Sequence, residues 1–416
     1  MKRKIDSWGK LFPKEVIEVN DLDINLNSYL KIGNSNSYGD AAIPKEDAVL
    51  DLEELYKGDF ISPNITISQF IYNSNQILYG IPGKSNVTLG GAIASDTHGK
   101  DNLWGGSFIK NIKEIKILLA TGDEHIVSRS CNPEIFYSTV GGYGLTGVIL
   151  GVNLFKNNIP KSNKFNTKIF VGREVDNLVK NFEHSSNTYW VGWINLLSKN
   201  YDWVVEISEP IESSDIISKK IDEVSEFNFS VPFIGKNYLN SMELINRIYY
   251  LLNSKKMFSI KSLQDVIYPL NKYSDTRNIS YRRKIIQIQF SIPLKNQSSL
   301  SKLIDAAIYR QFPLLCSIKR INKNETNLNL SFVQDGWTIA IDYPYEKFNH
   351  TAIREFYKLL IDLGGLIYLA KDSTLMDFEF KKMFSNFNNW HNIVKEIDKK
   401  KKFQSMLSER LKLKNW

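Results

Sequence analysis

The chain has 416 residues, of which 43% are hydrophobic and 24% charged. At roughly 100–200 residues per domain, this length predicts two or three domains with an ordinary globular core. The formal net charge of +8 is spread thinly along the chain. Because there is also no helix-turn-helix, zinc-finger or RNA-binding signature, we expect no nucleic-acid partner.

Targeting and metal signals are weak. The amino-terminal residues carry charge but no apolar run, and no segment approaches the roughly 18 apolar residues of a membrane span, so we expect a cytoplasmic protein. Cys131 and Cys316 form no disulfide framework, and the five histidines show no HxxxH or HExxH spacing, so we expect no metal site. The run Lys399–Lys402 is expected on a carboxy-terminal helix, either as a solvated face or as a weak foothold on an anionic membrane surface.

Residues 1–155 are rich in glycine and in β-forming residues. The segment 112–130 predicts two strands joined by a turn at 121–124, and 148–156 predicts another strand. This half should therefore consist of strands and glycine-rich loops with few long helices.

Residues 156–365 mix helical and strand patterns, which favours an α+β substrate domain. Helical spacing marks 240–253 and 299–312, and the helix predicted over 354–363 should end at Gly364-Gly365. Strands are predicted at 284–292, 328–333 and 337–344. Gln287 and Gln289 should share one face of the first of these, because side chains in a strand alternate with a period of two. From 366 onward we expect a short strand and then mostly helix.

Three glycine-rich segments lie in the first half, at Gly33–Asp40, Pro82–Gly99 and Val140–Gly147. Glycine lets the backbone adopt positive φ and approach a ligand closely, and successive backbone N–H groups form a concave anion site. Each segment alone could be a tight turn. Together they favour a site in which two loops hold the phosphates of a dinucleotide.

The third segment contains a literal G-x-G-x-x-G, formed by Gly142, Gly144 and Gly147. A Rossmann site would need a helix directly after this motif and an acidic residue about 20 residues further on. Here the motif is followed by a strand-like stretch, and residues 162–170 contain no acid. The Rossmann interpretation is therefore disfavoured.

Several motifs carry a resemblance to a known family. SYGDAA (37–42), TLGGAIASDTHGK (88–100), GGSF (105–108) and STVGGYGLTG (138–147) resemble, in order, the FAD-binding segments of the vanillyl-alcohol-oxidase (PCMH-type) FAD-linked oxidases. Within that superfamily the chain is most similar to the decaprenylphosphoryl-β-D-ribose 2-oxidases. YPLNKYSDTRN (268–278), IIQIQFSIP (285–293), GWTIAIDYP (336–344) and LGGLIYLAKDS (363–373) resemble motifs of that group. The resemblance implies a PCMH-type FAD-binding domain at 1–155, completed by 366–416, and an inserted substrate domain at 156–365.

The resemblance also implies a set of residues that line the flavin dinucleotide. These are Gly33, Asn34, Ser35, Asn36, Ser37, Tyr38, Gly39, Asp40, Gly83, Thr88, Leu89, Gly90, Gly91, Ser95, Asp96, Thr97, His98, Gly144, Ile149 and Tyr368. In many members of the superfamily, a histidine of the first loop is bonded covalently to the flavin. The matching position here is Asn36, so we expect non-covalent FAD.

The implied reaction oxidises a sugar carbinol to a ketone by hydride transfer to flavin N5. Lys371 matches the active-site lysine of the family. It could stabilise negative charge on the reduced flavin, or act as the base if desolvation lowers its pKa. Tyr38 and His98 are expected beside the reacting centre, although His98 could equally be structural. Candidate substrate-binding residues are Gln287, Gln289, Lys100 and Trp193, while Trp337 could be pocket wall or core.

Two departures accompany the resemblance. The segments before the SYGD loop and before GIPGK are short, which predicts a trimmed FAD domain whose gap a partner could cover. Ala340 stands where the mycobacterial members carry a cysteine.

Three functions remain open. The first is a polyprenyl-phosphoryl-ribose 2-oxidase for cell-surface glycan synthesis, working with a short-chain reductase and possessing a peripheral membrane contact at the inner face. The second is an aldonolactone or alditol oxidase. The third is a non-catalytic flavin-binding or scaffold protein.

Overall fold

The computed structural model describes residues 2–20, 26–50, 60–157, 162–182, 188–211, 238–268, 284–323, 325 and 327–416. The YPLNKYSDTRN motif lies outside the described residues apart from Tyr268, and so do residues 51–59 at the start of the segment that leads to GIPGK. Within the described part of the chain, the strands form three sheets.

The amino-terminal part contains two of these sheets, each with three strands. In the first, β1 is antiparallel to β2 and β2 is parallel to β3, with bounds β1 (Lys2–Ile5), β2 (Lys14–Val19) and β3 (Ala48–Leu50). The second has the order β5-β4-β6, with bounds β4 (Ile112–Leu118), β5 (Glu124–Ser128) and β6 (Val148–Leu154). The short helices of this part are α1 (Ile67–Ser74), α2 (Leu89–Ala94), α3 (Asn102–Gly105) and α4 (Pro133–Thr139).

The predicted hairpin at 112–130 is confirmed, since β4 and β5 are antiparallel. Gly122 in its turn has a φ of 92°, a left-handed value that glycine adopts without a steric cost. The motif at 142–147 leads directly into β6 and not into a helix. Its context is therefore not that of a Rossmann site.

The third sheet has eight strands in the order β10-β7-β9-β8-β12-β13-β11-β14, and every neighbouring pair is antiparallel. Its strands are β7 (Lys164–Gly172), β8 (Tyr189–Ile194), β9 (Trp203–Pro210), β10 (Phe258–Ser262), β11 (Ile285–Pro293), β12 (Cys316–Ile321), β13 (Gly336–Pro344) and β14 (Leu366–Ile367). The strands predicted at 284–292 and 337–344 are thus confirmed. The large sheet extends to β14, so the chain segment that begins at 366 starts as its edge strand.

The helices predicted at 240–253, 299–312 and 354–363 are confirmed, and two short helices that were not predicted accompany them. In chain order, these helices are α5 (Val175–Phe182), α6 (Tyr238–Ser254), α7 (Leu263–Ile267), α8 (Leu300–Ile308) and α9 (Ile353–Asp362). The carboxy-terminal tail is largely helical, with α10 (Asp377–Met383), α11 (Phe387–Ile397) and α12 (Met406–Arg410). Gly364 follows α9 with a φ of 66°, as its predicted role at the helix end requires.

One face of the large sheet is apolar and buried. Along β11 and β13, alternate residues such as Ile288, Phe290 and Trp337 belong to the main hydrophobic core, together with residues of α8 and α9. Trp337 is therefore a core residue, and its ring packs 5.7 Å, centroid to centroid, from that of Trp190. The opposite face of the same strands carries polar side chains that can bind a ligand or take part in a reaction.

Two predictions of local structure are wrong. Residues 328–333 join no sheet, although Leu328, Leu330 and Phe332 are buried, because the segment is an extended loop wedged between larger elements. The Lys399–Lys402 run is not helical, because α11 ends at Ile397. The Asp398 carboxylate accepts hydrogen bonds from the backbone N–H groups of Lys402 (2.7 Å) and Phe403 (3.0 Å), and these bonds turn the chain. Across the described ranges, no helix has both the length and the apolar character to cross a membrane.

Candidate active site

The polar face of the large sheet collects side chains from three neighbouring strands. Gln287 on β11 lies opposite Asp342 on β13, and Lys319 on β12 lies opposite Thr338 on β13. Directly opposite residues of an antiparallel pair point to the same face. The register therefore brings amide, carboxylate, hydroxyl and ammonium groups together on one surface.

His98 joins this surface from the turn that follows α2. Its Nε2 lies 2.9 Å from Nε2 of Gln289, and its Nδ1 lies 3.5 Å from Nζ of Lys319. Burial lowers the pKa of His98 well below its usual value, and the charges of Lys319 and Lys371 lower it further. The ring is consequently neutral at physiological pH, and a neutral imidazole accepts a hydrogen bond through only one of its two nitrogens.

Lys371 and Tyr38 form a second contact pair. The Lys371 Nζ lies 4.1 Å from the centroid of the Tyr38 ring, and the backbone N–H of Tyr38 donates to the carbonyl of Ala370 at 3.1 Å. Burial lowers the pKa of Lys371 to about 8, although Asp342 opposes the shift. Burial, reinforced by Asp342, raises the pKa of Tyr38 well above its usual value, so the phenol remains protonated.

Lys319 is a residue that the sequence analysis missed. Burial lowers its pKa to about 8, the nearby Asp101 raises it, and the charge of Lys371 lowers it. Its sequence context, a single lysine in an alternating strand, is shared by many solvent-exposed lysines. The pairing of β12 with β13, which the sequence does not display, is what directs this side chain towards His98. Asp342 was missed for the same reason.

Lys100 and Trp193 lie further along the same sheet face. Burial lowers the pKa of Lys100 to about 7, with Glu206 opposing that shift and Lys261 and Lys319 adding to it. Trp193 lies on β8 and packs edge to face on Tyr249 of α6, with 4.9 Å between ring centroids.

The first glycine-rich loop lies against both of the other segments expected around the flavin. A Cβ added at Gly33 would stand 2.4 Å from the Thr88 hydroxyl, and one at Gly39 would stand 1.7 Å from the Asp372 carbonyl oxygen. Only glycine permits these two close approaches. The amides of Asn34 and Asn36 donate to the Asn86 carbonyl at 2.7 and 3.2 Å, which fixes the loop on the 83–88 segment.

The second segment is organised by α2. The Thr88 hydroxyl caps the helix by accepting from Gly91 N–H at 3.1 Å, and Asp96 has a φ of 40° just after the helix ends. The Tyr368 hydroxyl donates to the Ser95 carbonyl at 3.0 Å, and its ring stacks on Phe332. In this way the 95–98 turn is joined to the segment that carries Lys371.

The remaining predicted cofactor residues are placed as follows. Ser35 (φ 49°) and Ser37 lie in the first loop, and Gly83 lies in the loop before α2. Leu89 and Gly90 belong to α2, and the Thr97 hydroxyl after it donates to the Gly80 carbonyl. Gly144 (φ 74°) lies in the third loop and Ile149 in β6. Leu89 and Ile149 are part of a hydrophobic cluster. The structure gives these two no polar contact with the loops, so their role at the cofactor stays a prediction.

A buried ion cluster ties the first loop to the tail. Arg410 of α12 donates to both carboxylate oxygens of Asp40, at 2.7 and 2.8 Å, and lies 2.9 Å from Asp372. Both aspartates are almost fully buried. Asp40 lies two residues after Tyr38, and Asp372 lies directly after Lys371. The ion cluster therefore holds the segments that carry Tyr38 and Lys371 in one arrangement.

The arrangement fits a dinucleotide. Because Cβ atoms at Gly33 and Gly39 would collide with Thr88 and Asp372, these glycines let the backbone of the first loop lie directly against the neighbouring segments, and backbone N–H groups in such loops suit phosphates. The buried Asn86 Oδ1 and Ser373 Oγ have no hydrogen-bond partner within the described part of the chain. Polar atoms in that position are suited to contact a bound ligand.

Sequence comparison with known proteins points to oxidoreductases. No family model matches the chain. It is 25% identical to the decaprenylphosphoryl-β-D-ribose oxidase of Mycolicibacterium smegmatis over 353 residues, which cover 80% of this chain and 75% of that protein. It is 22% identical to the L-gulonolactone oxidase of Scyliorhinus torazame over 77% of this chain and 72% of that protein.

A shorter match is to cytokinin dehydrogenase 2 of Arabidopsis thaliana, at 29% identity over 80 residues, or 19% of this chain and 16% of that protein. All three relatives are oxidases or dehydrogenases, which supports an enzyme and not a scaffold. The chain is a homologue of decaprenylphosphoryl-β-D-ribose oxidase and an FAD-linked oxidoreductase.

Proposed function

We propose that this protein oxidises a secondary alcohol of a lipid-linked pentose, a polyprenyl-phosphoryl ribose, to a ketone at a non-covalently bound FAD. The observation that carries the proposal is the convergence of Lys371, Lys319 and His98 on the polar face of the large sheet. When bound, FAD supplies the hydride acceptor that such an oxidation needs.

Oxidation of an alcohol also requires that the hydroxyl proton be removed. Lys371, with a pKa near 8, is partly neutral at physiological pH and can accept this proton. Lys319 and His98 then act as hydrogen-bonding groups around the same centre, since His98 is held neutral. Tyr38 keeps its proton and can donate to a substrate oxygen.

Gln287 and Gln289 are suited to orient the sugar ring. The amide of Gln287 donates to Asp342 at 2.5 Å, and the amide of Gln289 donates to Thr338 at 3.1 Å while lying against His98. Both amides are thus held in one orientation before a ligand arrives, which reduces the entropy lost on binding. Their remaining amide oxygens can accept from sugar hydroxyls.

Non-covalent attachment rests on Asn36. A carboxamide nitrogen is not a nucleophile that could bond to the flavin ring, and that of Asn36 is engaged with the Asn86 carbonyl. Denaturing the protein in acid should therefore release the flavin into the supernatant and leave a polypeptide of unmodified mass. A flavin that stays with the precipitated chain would contradict this part of the proposal.

A second candidate is an aldonolactone or alditol oxidase, favoured by the long alignment with L-gulonolactone oxidase. The two are separated by anaerobic reduction of the FAD-loaded enzyme, followed through bleaching of the flavin absorbance band. We expect bleaching with a polyprenyl-phosphoryl ribose and none with an aldonolactone or free alditol. The reverse result would assign the protein to the second class.

Turnover of the lipid-linked sugar would produce a 2-keto sugar on the same lipid. We propose that a short-chain reductase consumes this ketone and thereby completes an epimerisation for cell-surface glycan synthesis. Adding such a reductase with its nicotinamide cofactor should convert the keto product into the epimeric sugar, which chromatography distinguishes from the starting ribose.

A further inference from the structure

Helix α6 places its apolar side chains outward. The exposed fractions of five large residues lie between 38% and 58%: Leu244, Ile245, Ile248, Leu251 and Leu252. The spacing i, i+1, i+4, i+7, i+8 puts all five on one face of the helix. The residues that this helix buries most deeply are polar, namely Asn246 and Asn253. This is the reverse of an ordinary helix in a globular protein.

The apolar surface continues onto the neighbouring edge strand. Met257, Phe258 and Ile260 are exposed by 84%, 53% and 62%. Beside them, a cavity of about 410 Å³ lies between β7, β9, α5 and the end of α6, with a largely apolar lining that includes Phe170, Trp203 and Met257. We call the exposed apolar residues of α6 together with Met257–Ile260 the α6 face. Contiguous exposed apolar residues mark surfaces that bind a protein or a membrane.

The charges around the α6 face distinguish between these occupants. Residues 242–262 contain four basic residues and one acidic residue, Glu243. Arg247, Lys255 and Lys256 are exposed at the margins of the apolar stripe. An apolar helical stripe edged with basic residues is typical of helices that lie in the headgroup region of an anionic bilayer. A second copy of this chain would bring the same positive charges together and is disfavoured.

The α6 face is continuous with the candidate active site. Tyr249, on the same helix, packs on Trp193 of the polar sheet face, and Asn246 donates to Asn195 at the end of β8. A helix resting on lipid would therefore place the substrate end of the site at the bilayer surface. From this geometry we infer that the α6 face docks the enzyme on an anionic membrane, where a lipid-linked sugar can enter the site without leaving the bilayer.

This inference rests on the proposed function, because a lipid-linked substrate is what gives a docked site its use. The test nevertheless needs no turnover. Full-length FAD-loaded protein is mixed with vesicles of phosphatidylcholine, or of phosphatidylcholine with added phosphatidylglycerol, and the bound fraction is measured by flotation. We expect binding to the anionic vesicles only, weakening as salt rises.

Three variants define the surface. Leu251→Gln with Leu252→Gln should weaken vesicle binding by at least about tenfold, since two leucine side chains would no longer insert into the lipid. Lys255→Glu with Lys256→Glu should weaken it by at least about fivefold per residue. Met257→Gln, at the most exposed position, should weaken binding with the least risk to folding.

Two matched controls complete the design. Ile126→Gln with Phe378→Gln changes exposed apolar residues elsewhere, and Lys399→Glu with Lys400→Glu changes the basic run of the tail. Both should bind as the unchanged protein does. The inference is overturned if the unchanged protein stays free of anionic vesicles, if the tail variant alone abolishes binding, or if the leucine variant only dissociates a dimer. Flavin bleaching by a short-chain water-soluble substrate, measured on every variant, separates failure of docking from failure of the proposed function.

Discussion

Replacing Lys371 with methionine tests the proposed base directly. Burial lowers the pKa of this lysine from 10.5 to about 8. The neutral fraction then rises from about one tenth at pH 7 to about nine tenths at pH 9. If neutral Lys371 accepts the hydroxyl proton, the rate of anaerobic flavin reduction should rise about tenfold over this range. Lys371→Met should be about 100-fold slower or more, and its rate should no longer depend on pH near 8.

The lowered pKa of Lys371 also predicts that replacing this lysine will stabilise the folded protein while it slows the reaction. A lysine whose folded pKa lies below its unfolded value destabilises the folded state, fully below the folded pKa and less as pH rises through the window from 8 to 10.5. The shift from 10.5 to about 8 corresponds to about 3 kcal/mol. Lys371→Met should therefore unfold at a higher temperature than the unchanged protein at pH 7 while being far less active. An inactive but more stable variant cannot be explained by misfolding.

The assay is stopped-flow reduction of the FAD-loaded enzyme by a saturating lipid-linked sugar, with Lys358→Met on the exposed side of α9 as the control. Lys319→Met keeps Lys371 and should retain the rise with pH, although its rate will be lower. A rate that falls above pH 8 would refute the reasoning, because it would mean that the charged ammonium acts by stabilising the reduced flavin. So would a Lys371→Met enzyme that keeps the pH dependence.

Three further predictions concern the first glycine-rich loop, the ion cluster and His98. Gly33→Ala would put a Cβ 2.4 Å from the Thr88 hydroxyl, so the purified variant should lose most of its FAD. The control is Gly122→Ala in the hairpin turn, where a Cβ meets no atom; it should keep its FAD and lose only about 1 kcal/mol of stability. Arg410→Met leaves two buried carboxylates without their cation and should lower the free energy of unfolding by about 3–5 kcal/mol, measured by denaturant titration; an unchanged midpoint would contradict the proposed anchoring. Lys319→Met removes one of the charges that depress the pKa of His98, so that pKa should rise in an NMR titration, and no rise would show that burial and Lys371 keep the ring neutral without Lys319.

Local periodicity and turn chemistry were sufficient for several of the elements. The alternation at 284–292 predicted β11 and the shared face of Gln287 and Gln289, and the glycine pair after α9 predicted where that helix ends. These features depend on φ, ψ and side-chain direction within a few residues, which the local sequence controls. The motif around Lys371 indicated a catalytic lysine for a different reason, since a resemblance transfers a role without deriving its geometry.

The segment 328–333 and the lysine run show where local patterns mislead. Leu328 and Phe332 are buried as a strand pattern requires, but the backbone of 328–333 pairs with none of the described strands. Lys399–Lys402 continues a helical composition, but the Asp398 side chain turns the chain there. In both cases the deciding partner is a backbone or side-chain group that local periodicity does not report.

By itself, the sequence determined the hairpin of β4 and β5, the strands β6, β11 and β13, the long helices of the second half, the glycine-rich segments and the family resemblance. Only the tertiary structure decided that Lys319 and Asp342 belong to the site, because strand order and register bring β12 and β13 beside β11. It also decided that the apolar stripe of α6 faces outward. A helical pattern specifies which residues share a face, whereas the packing of the helix on its neighbours determines which way that face points.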